Sequence, residues 1–442
     1  MSKNHQNDGH WRRIGRALRH PNYRLFFAGQ IISLCGTWMT NVATAWLVYR
    51  MTNSAFMLGV VTFSTQIPAF LLGPFAGMLG DRVDKRRALV ATQTLSMLQS
   101  FALAAITLSG HATIELLIAL TFLKGVILAF DIPVRQSFLV DMIEDRRDLA
   151  NAIALNSSMF NAARLVGPAL GAAVITAFGE GWCFFLDGCS FLAVLASLLM
   201  MKLVARRSPV VGAGLWSDLL AGWRIVGRPG PIRRIMALLA MVSLLGASYA
   251  TLIPVFAGHI LQGGPQTLGL LMGSSGAGAL LGATWLAGRR SVLGLGSLIP
   301  CATGLFGLSI IGFALSRLTW LSMIFLFTGG LGLMVQMAAS NTILQTIVGD
   351  TMRSRVMSFY MMAFLGTAPF GSLLMGSISE RFGPTLAIVV GGACCLAGAG
   401  VFFAGLEQLR ESIRPIYRRL GILPDLTAAS GAASRVAFEA GE

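Results

Sequence analysis

The sequence predicts an all-α membrane protein: twelve transmembrane helices in two six-helix bundles, with N- and C-termini cytoplasmic. Composition, the lengths of the apolar runs and the placement of Lys and Arg predict it. Of 442 residues, 55% are hydrophobic and only 12% charged, and the mean hydropathy is +0.71. Soluble domains carry about a quarter charged residues, so this composition suits lipid as the solvent. The 51 glycines fit the same reading, because small residues let membrane helices approach closely.

Crossing a bilayer takes roughly 20 predominantly apolar residues. Twelve stretches qualify, at 25–49, 57–80, 88–109, 113–133, 149–178, 181–203, 234–258, 267–287, 293–314, 319–340, 355–378 and 384–406. The fifth is the least apolar. Residues 1–24 are polar and Arg-rich, and the apolar stretch that follows is too long for a secretory signal, so it reads as a retained first span. With the N-terminus inside, 29 of the 34 Lys and Arg residues fall on the cytoplasmic side. Arg50, Arg317 and Arg381 lie outside, and Lys124 and Arg164 lie within spans. That alternation obeys the positive-inside rule, and it accounts for the net charge of +15 without nucleic acid.

The expected organisation is a basic tail (1–24), a first bundle (25–203), a cytoplasmic connection (204–233), a second bundle (234–406) and a cytoplasmic tail (407–442). The tail is expected to be mostly disordered, being short and rich in Ala, Ser and Gly from Thr427 onward. Within the connection, Trp216, Leu219, Leu220 and Trp223 beside Arg224 and Arg228 suit an amphipathic helix on an anionic leaflet; Trp11, Ile14 and Leu18 among arginines look similar. The halves echo one another: Leu58-Gly59 opens the second span and Leu268-Gly269 the eighth, about half the chain apart. Such weak internal repetition belongs to transporter folds, whose substrate site lies between the repeats near mid-membrane.

No enzyme chemistry is visible. The six cysteines lie in apolar stretches without metal-ligand spacing, the five histidines form no HExxH pair, and no Walker A loop or GxSxG elbow occurs. Catalytic residues, metal and cofactor are therefore not expected.

After the second span comes Gly77-Met78-Leu79-Gly80-Asp81-Arg82-Val83-Asp84-Lys85-Arg86-Arg87. This resembles the cytoplasmic loop motif of the major facilitator superfamily. Asp84 stands where that motif usually has glycine, which, with Arg86-Arg87, resembles the bacterial exporter branch that contains enterobactin exporters. Asn22 to Gln30, Phe130 to Gln136 and Asn161 to Gly171 strengthen the likeness, which covers residues 20–405. In the second half, Gly288-Arg289-Arg290 lacks the aspartate.

The resemblance implies that Gly77, Gly80, Asp81, Arg82, Lys85, Arg86 and Arg87 form a conformational latch between the bundles. Physically, a carboxylate there can cap the N-terminus of a neighbouring helix, where the helix dipole favours negative charge. It also implies an antiporter-like motif at Gly167, Pro168 and Gly171, associated with export. Pro168 removes a backbone donor and bends the fifth span.

Charges within spans are expensive, so each is a functional candidate. Lys124 and Arg164 fall near mid-membrane on adjacent spans and would together make a site for an anion. Asp131, seven residues beyond Lys124 on the same face, and Asp187 are proton-coupling candidates. The first span carries a polar stripe that includes Gln30, Thr37 and Asn41, with Gln336 and Asn341 as looser counterparts in the tenth; these complete the substrate-cavity set.

The function expected is proton-driven efflux of a small organic, anionic or phenolic metabolite such as a siderophore, by alternating access. A multidrug pump, or an importer of sugars or ferric chelates, is the alternative on the same fold. Expected partners are a small-molecule substrate, protons and membrane lipid, with no nucleic acid. The chain is expected to act as a monomer in the bacterial inner membrane.

Overall fold

The computed structural model describes residues 16–143, 145–202, 227, 230–289 and 291–422, with the side chains of all but 74–82, 146, 350, 351 and 354. Among the described residues the secondary structure is helical throughout, and twelve helices are long and apolar enough to cross a membrane. In the first half these are α1 (Pro21–Thr52), α2 (Ala55–Arg82), α3 (Lys85–Leu108), α4 (Ile114–Asp141), α5 (Leu149–Phe178) and α6 (Glu180–Met200). In the second they are α7 (Pro231–Ile260), α8 (Pro265–Ala287), α9 (Leu295–Leu315), α10 (Thr319–Ile347), α11 and α12 (Pro384–Ala404). Helix α11 runs from Asp350–Met361 through a π turn, Met362–Gly366, into Ala368–Phe382. Every one of the twelve apolar stretches is a helix. The tryptophan-bearing segments of the connection and of the N-terminal tail lie outside the described residues, apart from Leu18.

Local signals set the ends. Ser54, Asp84 and Thr113 cap α2, α3 and α4, each side-chain oxygen accepting a backbone N–H one turn on. Asn53 and Gln262 take left-handed backbone between α1 and α2 and between α7 and α8. Gly179 and Gly383, both at φ 90°, turn the chain from α5 into α6 and from α11 into α12. Each pair is separated by about half the chain, so the duplication is written in the turns as well as in the spans.

Within the first half, α1 packs on α5 and α6, α2 on α4, and α3 on α4 and α6; in the second, α10 packs on α8 and α9, and α12 on α7 and α9. Two seams join the halves, α5 with α8 and α2 with α11. The seams are tight at the end carrying Asn53 and Gly383, called here the distal end. There the Glu380 carboxylate accepts from the Ser54 hydroxyl (3.1 Å) and the Phe56 N–H (3.3 Å). Phe63 and Phe70 meet Phe370 further in. These contacts across the seams lie between that end and mid-span.

The first part of the tail is ordered. Residues 406–419 form a helix, α13 (Leu406–Arg419), that crosses the linker ends of α7, α9, α10 and α12. Leu406, Leu409, Ile413 and Tyr417 recur at helical spacing and are buried against the bundle, which outweighs the entropy of ordering a polar segment. The residues from Thr427 onward lie outside the described part.

Candidate functional site

Helix α5 occupies the junction between the halves. Its Gly167 and Gly171 lie against α1, where a Cβ would come within 2.4 Å of Trp38 Cβ and 3.1 Å of Met39 Cα. On its other side the carbonyls of Arg164 and Pro168 face the glycines of α8: a Cβ on Gly276 would sit 3.0 Å from the first, and one on Gly269 2.8 Å from the second. Gly167 and Gly171 thus let α5 touch α1, and Gly269 and Gly276 of α8 let it touch the opposite half, with little more than backbone between them.

Arg164, at the middle of α5, stands over the Trp38 ring, 5.9 Å from its centroid. Phe160 meets the same indole edge-on at 5.9 Å. Across the seam, the buried Tyr249 is Arg164's electrostatic neighbour. Its hydroxyl bonds Ser275 Oγ at 3.1 Å. Among the described residues no carboxylate lies within 4.0 Å of the Arg164 guanidinium. A cation over an indole ring and beside a phenol, with no carboxylate within 4.0 Å among the described residues, has the chemistry to receive an anion. Tyr249, Ser275 and Trp38 were not legible as site residues; Tyr249, a hydroxyl in an apolar span, gave the one signal, since it needs a partner when buried.

Lys124 does not share this cluster. It lies inside the first half, where its charge neighbour is Asp187 of α6, with no nitrogen–oxygen contact within 4.0 Å. Asp187 is completely buried. One carboxylate oxygen accepts from Ser100 Oγ of α3 at 2.8 Å. The other makes no hydrogen bond of normal geometry and points at Gly36 of α1, whose missing Cβ would stand 2.7 Å away. The buried Thr40 is one turn further along α1.

Asp131 is engaged on every side. It accepts from Thr92 Oγ1 (2.8 Å) and Gln93 Nε2 (2.7 Å) of α3, and pairs with Arg135 at 2.8 Å. That network ties α3 to α4. Gln30 is buried, Thr37 half-buried and Asn41 exposed. In α10, Gln336 is fully buried with neither amide atom hydrogen-bonded, and Asn341 accepts from Gln345 at 2.8 Å.

Of the loop motif, Lys85 pairs with Asp141 at 2.8 Å, and Arg86 donates to the carbonyls of Leu198 and Leu199, both at 2.8 Å. Arg87 turns back to Asp84 at 3.6 Å. Lys85 and Arg86 thus hold the linker ends of α3, α4 and α6 together within the first half, and Arg87 stays on the cap of its own helix. Gly77, Gly80, Asp81 and Arg82 sit in the last turns of α2, and their side chains lie outside the described set.

Residues 16–413 match the transmembrane secretion effector family, MFS_3. The chain belongs to it. The staphyloferrin A transporter of Staphylococcus aureus (strain NCTC 8325 / PS 47) is 26% identical over 86% of this chain and 95% of its own length. Enterobactin exporter EntS of Escherichia coli O6:K15:H31 (strain 536 / UPEC) is 21% identical over 93% and 96%. In fold, the chain resembles a bacterial homologue of the human lysosomal transporter Spinster, with a TM-score of 0.69 at 14% identity over 88% and 97% of the two chains. This member of the secretion effector family is thus a major facilitator superfamily transporter, not an enzyme. It is a multi-pass protein of the bacterial inner membrane.

Proposed function

We propose that the protein exports a small organic anion, of the carboxylate or phenolate kind found in siderophores, in exchange for protons. The bundles would rock about the seam where Arg164, Trp38 and Tyr249 meet. The observation that carries this reading is Arg164, a mid-membrane cation without a carboxylate partner among the described residues. Such a charge is costly unless a ligand completes it. The siderophore-related names of two relatives, and the position of the antiporter-like glycines at the same seam, support both cargo and direction.

Protons are carried by Asp187 rather than Asp131. Asp187 keeps one oxygen without a bonded partner beside Lys124, whereas both oxygens of Asp131 are taken. The distal end is the periplasmic one, and the described conformation is closed there, so the halves part towards the cytoplasm to admit cargo. Lys85, Arg86 and Arg87, now bonded within the first half, are free to re-form a latch with the second when the linker end closes.

The test uses everted vesicles energised to an inside-acid gradient. Wild-type protein accumulates citrate- or catechol-type chelators, and Arg164→Gln abolishes this while Arg164→Lys retains part. Accumulation of cationic drugs instead, undiminished by Arg164→Gln, would refute the anion reading.

A further inference from the structure

We propose that the crevice between α13 and the start of α9 binds an anionic phospholipid, with an acyl chain in the crevice and the phosphate on Arg410 and Arg414. The cavity holds about 200 Å³. Its walls are apolar: Val292, Leu293, Ile343, Leu409, Ile413 and Tyr417. Arg410 and Arg414, one helical turn apart, also line it beside Ser297 and are half or more exposed.

Their partner Glu407, at 3.4 and 4.0 Å, is an exposed neighbour on the same helix. Such surface pairs bind weakly, so both guanidiniums stay open to a phosphate. Arg289 adds a third cation, donating to the Leu293 carbonyl at 3.4 Å and stacking on Trp285 at 5.5 Å. Trp285 is half exposed near the linker end of α8. An exposed tryptophan near a span end marks the depth of the lipid headgroups.

Charge complementarity and an adjoining apolar slot at headgroup depth select the occupant. A soluble phosphate would use the arginines and leave the slot bare, and a neutral lipid would use the slot and leave the cations bare. Only a lipid with an anionic head uses both. The site lies away from the α5–α8 seam and does not depend on what is transported.

The test reconstitutes the full chain in nanodiscs of mixed palmitoyl-oleoyl phosphatidylglycerol and phosphatidylcholine and counts retained lipids by native mass spectrometry. Wild type should keep phosphatidylglycerol preferentially. Arg410→Gln with Arg414→Gln should cut that preference about thirtyfold, as expected when two cations near the surface are lost, with unchanged melting in pure phosphatidylcholine. Arg410→Lys with Arg414→Lys should retain it.

Gly296 lines the crevice, and a Cβ there would already touch the Leu406 and Leu409 methyls of α13 at 3.8 Å. Gly296→Phe should therefore fill the slot and expel the lipid with both arginines intact. Equal retention of the two lipids by wild type would overturn the proposal, as would a preference untouched by the double Gln variant. Displacement of the lipid by glycerol phosphate alone would identify a free-phosphate site and refute it too.

Discussion

Helix α8 carries two glycine faces with different work, and alanine substitutions separate them. Gly269 faces the other half: a Cβ would lie 2.4 Å from Ala172 Cβ and 2.8 Å from the Pro168 carbonyl. Carbon atoms at optimal contact stand about 3.5–4.0 Å apart, so α5 and α8 must part by about an ångström or more. Overpacking of this kind costs about 1–3 kcal/mol. The strain falls on a seam between two bodies, where parting the distal ends relieves it. At 1.4 kcal/mol per tenfold, the equilibrium should move roughly five- to a hundredfold toward the distally open state. Gly278 faces α10 of its own half, where a Cβ would stand 1.8 Å from the Phe327 carbonyl. No rigid-body motion relieves that clash. Spin labels at Phe178 and Gln266, both exposed at the distal end, read the separation by pulsed electron resonance. Gly269→Ala should populate a longer distance, and Ala172→Gly added to it should restore part of the short one. Gly278→Ala should lower the melting temperature and leave the distances alone. A Gly269→Ala protein that melts early with unchanged distances would sink the argument.

Asp187→Asn should abolish proton-driven transport while leaving downhill substrate exchange, measured in liposomes with and without a pH gradient; equal loss of both would remove Asp187 from coupling. Gly36→Ala should mimic it in part, because its Cβ would press on Asp187 Oδ1 and Ser190 Oγ, both 2.7 Å away. Asp131→Asn should instead cost about 1–3 kcal/mol of stability, the penalty for buried donors left unpaired, with the coupling ratio retained in the folded fraction. Glu380→Ala should loosen the distal end by removing the acceptor for Ser54 and the α2 N-terminus, lengthening the same label distance without a change in melting.

Period and length made the spans legible, since each helix needs only its own residues to meet the bilayer's demand. Relations between spans were not. Lys124 and Arg164 lie at similar depths, but depth says nothing of azimuth: Lys124 turns inward to Asp187 and Arg164 turns to the seam. Asp131 read as a lone carboxylate because its donors, Thr92 and Gln93, come from another helix. Helix α13 was hidden for the opposite reason. Its apolar residues are too sparse for a span, and the Ala- and Ser-rich residues beyond them dominated the reading of the tail, although Leu406, Leu409, Ile413 and Tyr417 hold the period of an amphipathic helix.

Among the described residues the π turns fall in the second half alone, at Val242–Gly246 and Phe256–Ile260 in α7 and at Met362–Gly366 in α11. Two of them adjoin, for Ser243 of the first donates to the Phe364 carbonyl of the third at 2.5 Å. Each such turn is a regular helix with one residue too many, and this fixes what the gene can tolerate. Deleting that residue would restore ordinary hydrogen bonding but swing everything after it by about 100°. Tyr249, downstream of the first turn in α7, would then leave the seam for another wall of the bundle. The surplus residue of the first turn thus acts as a rotational spacer: it sets which way Tyr249 and the rest of α7 look, and losing it would misaim the helix.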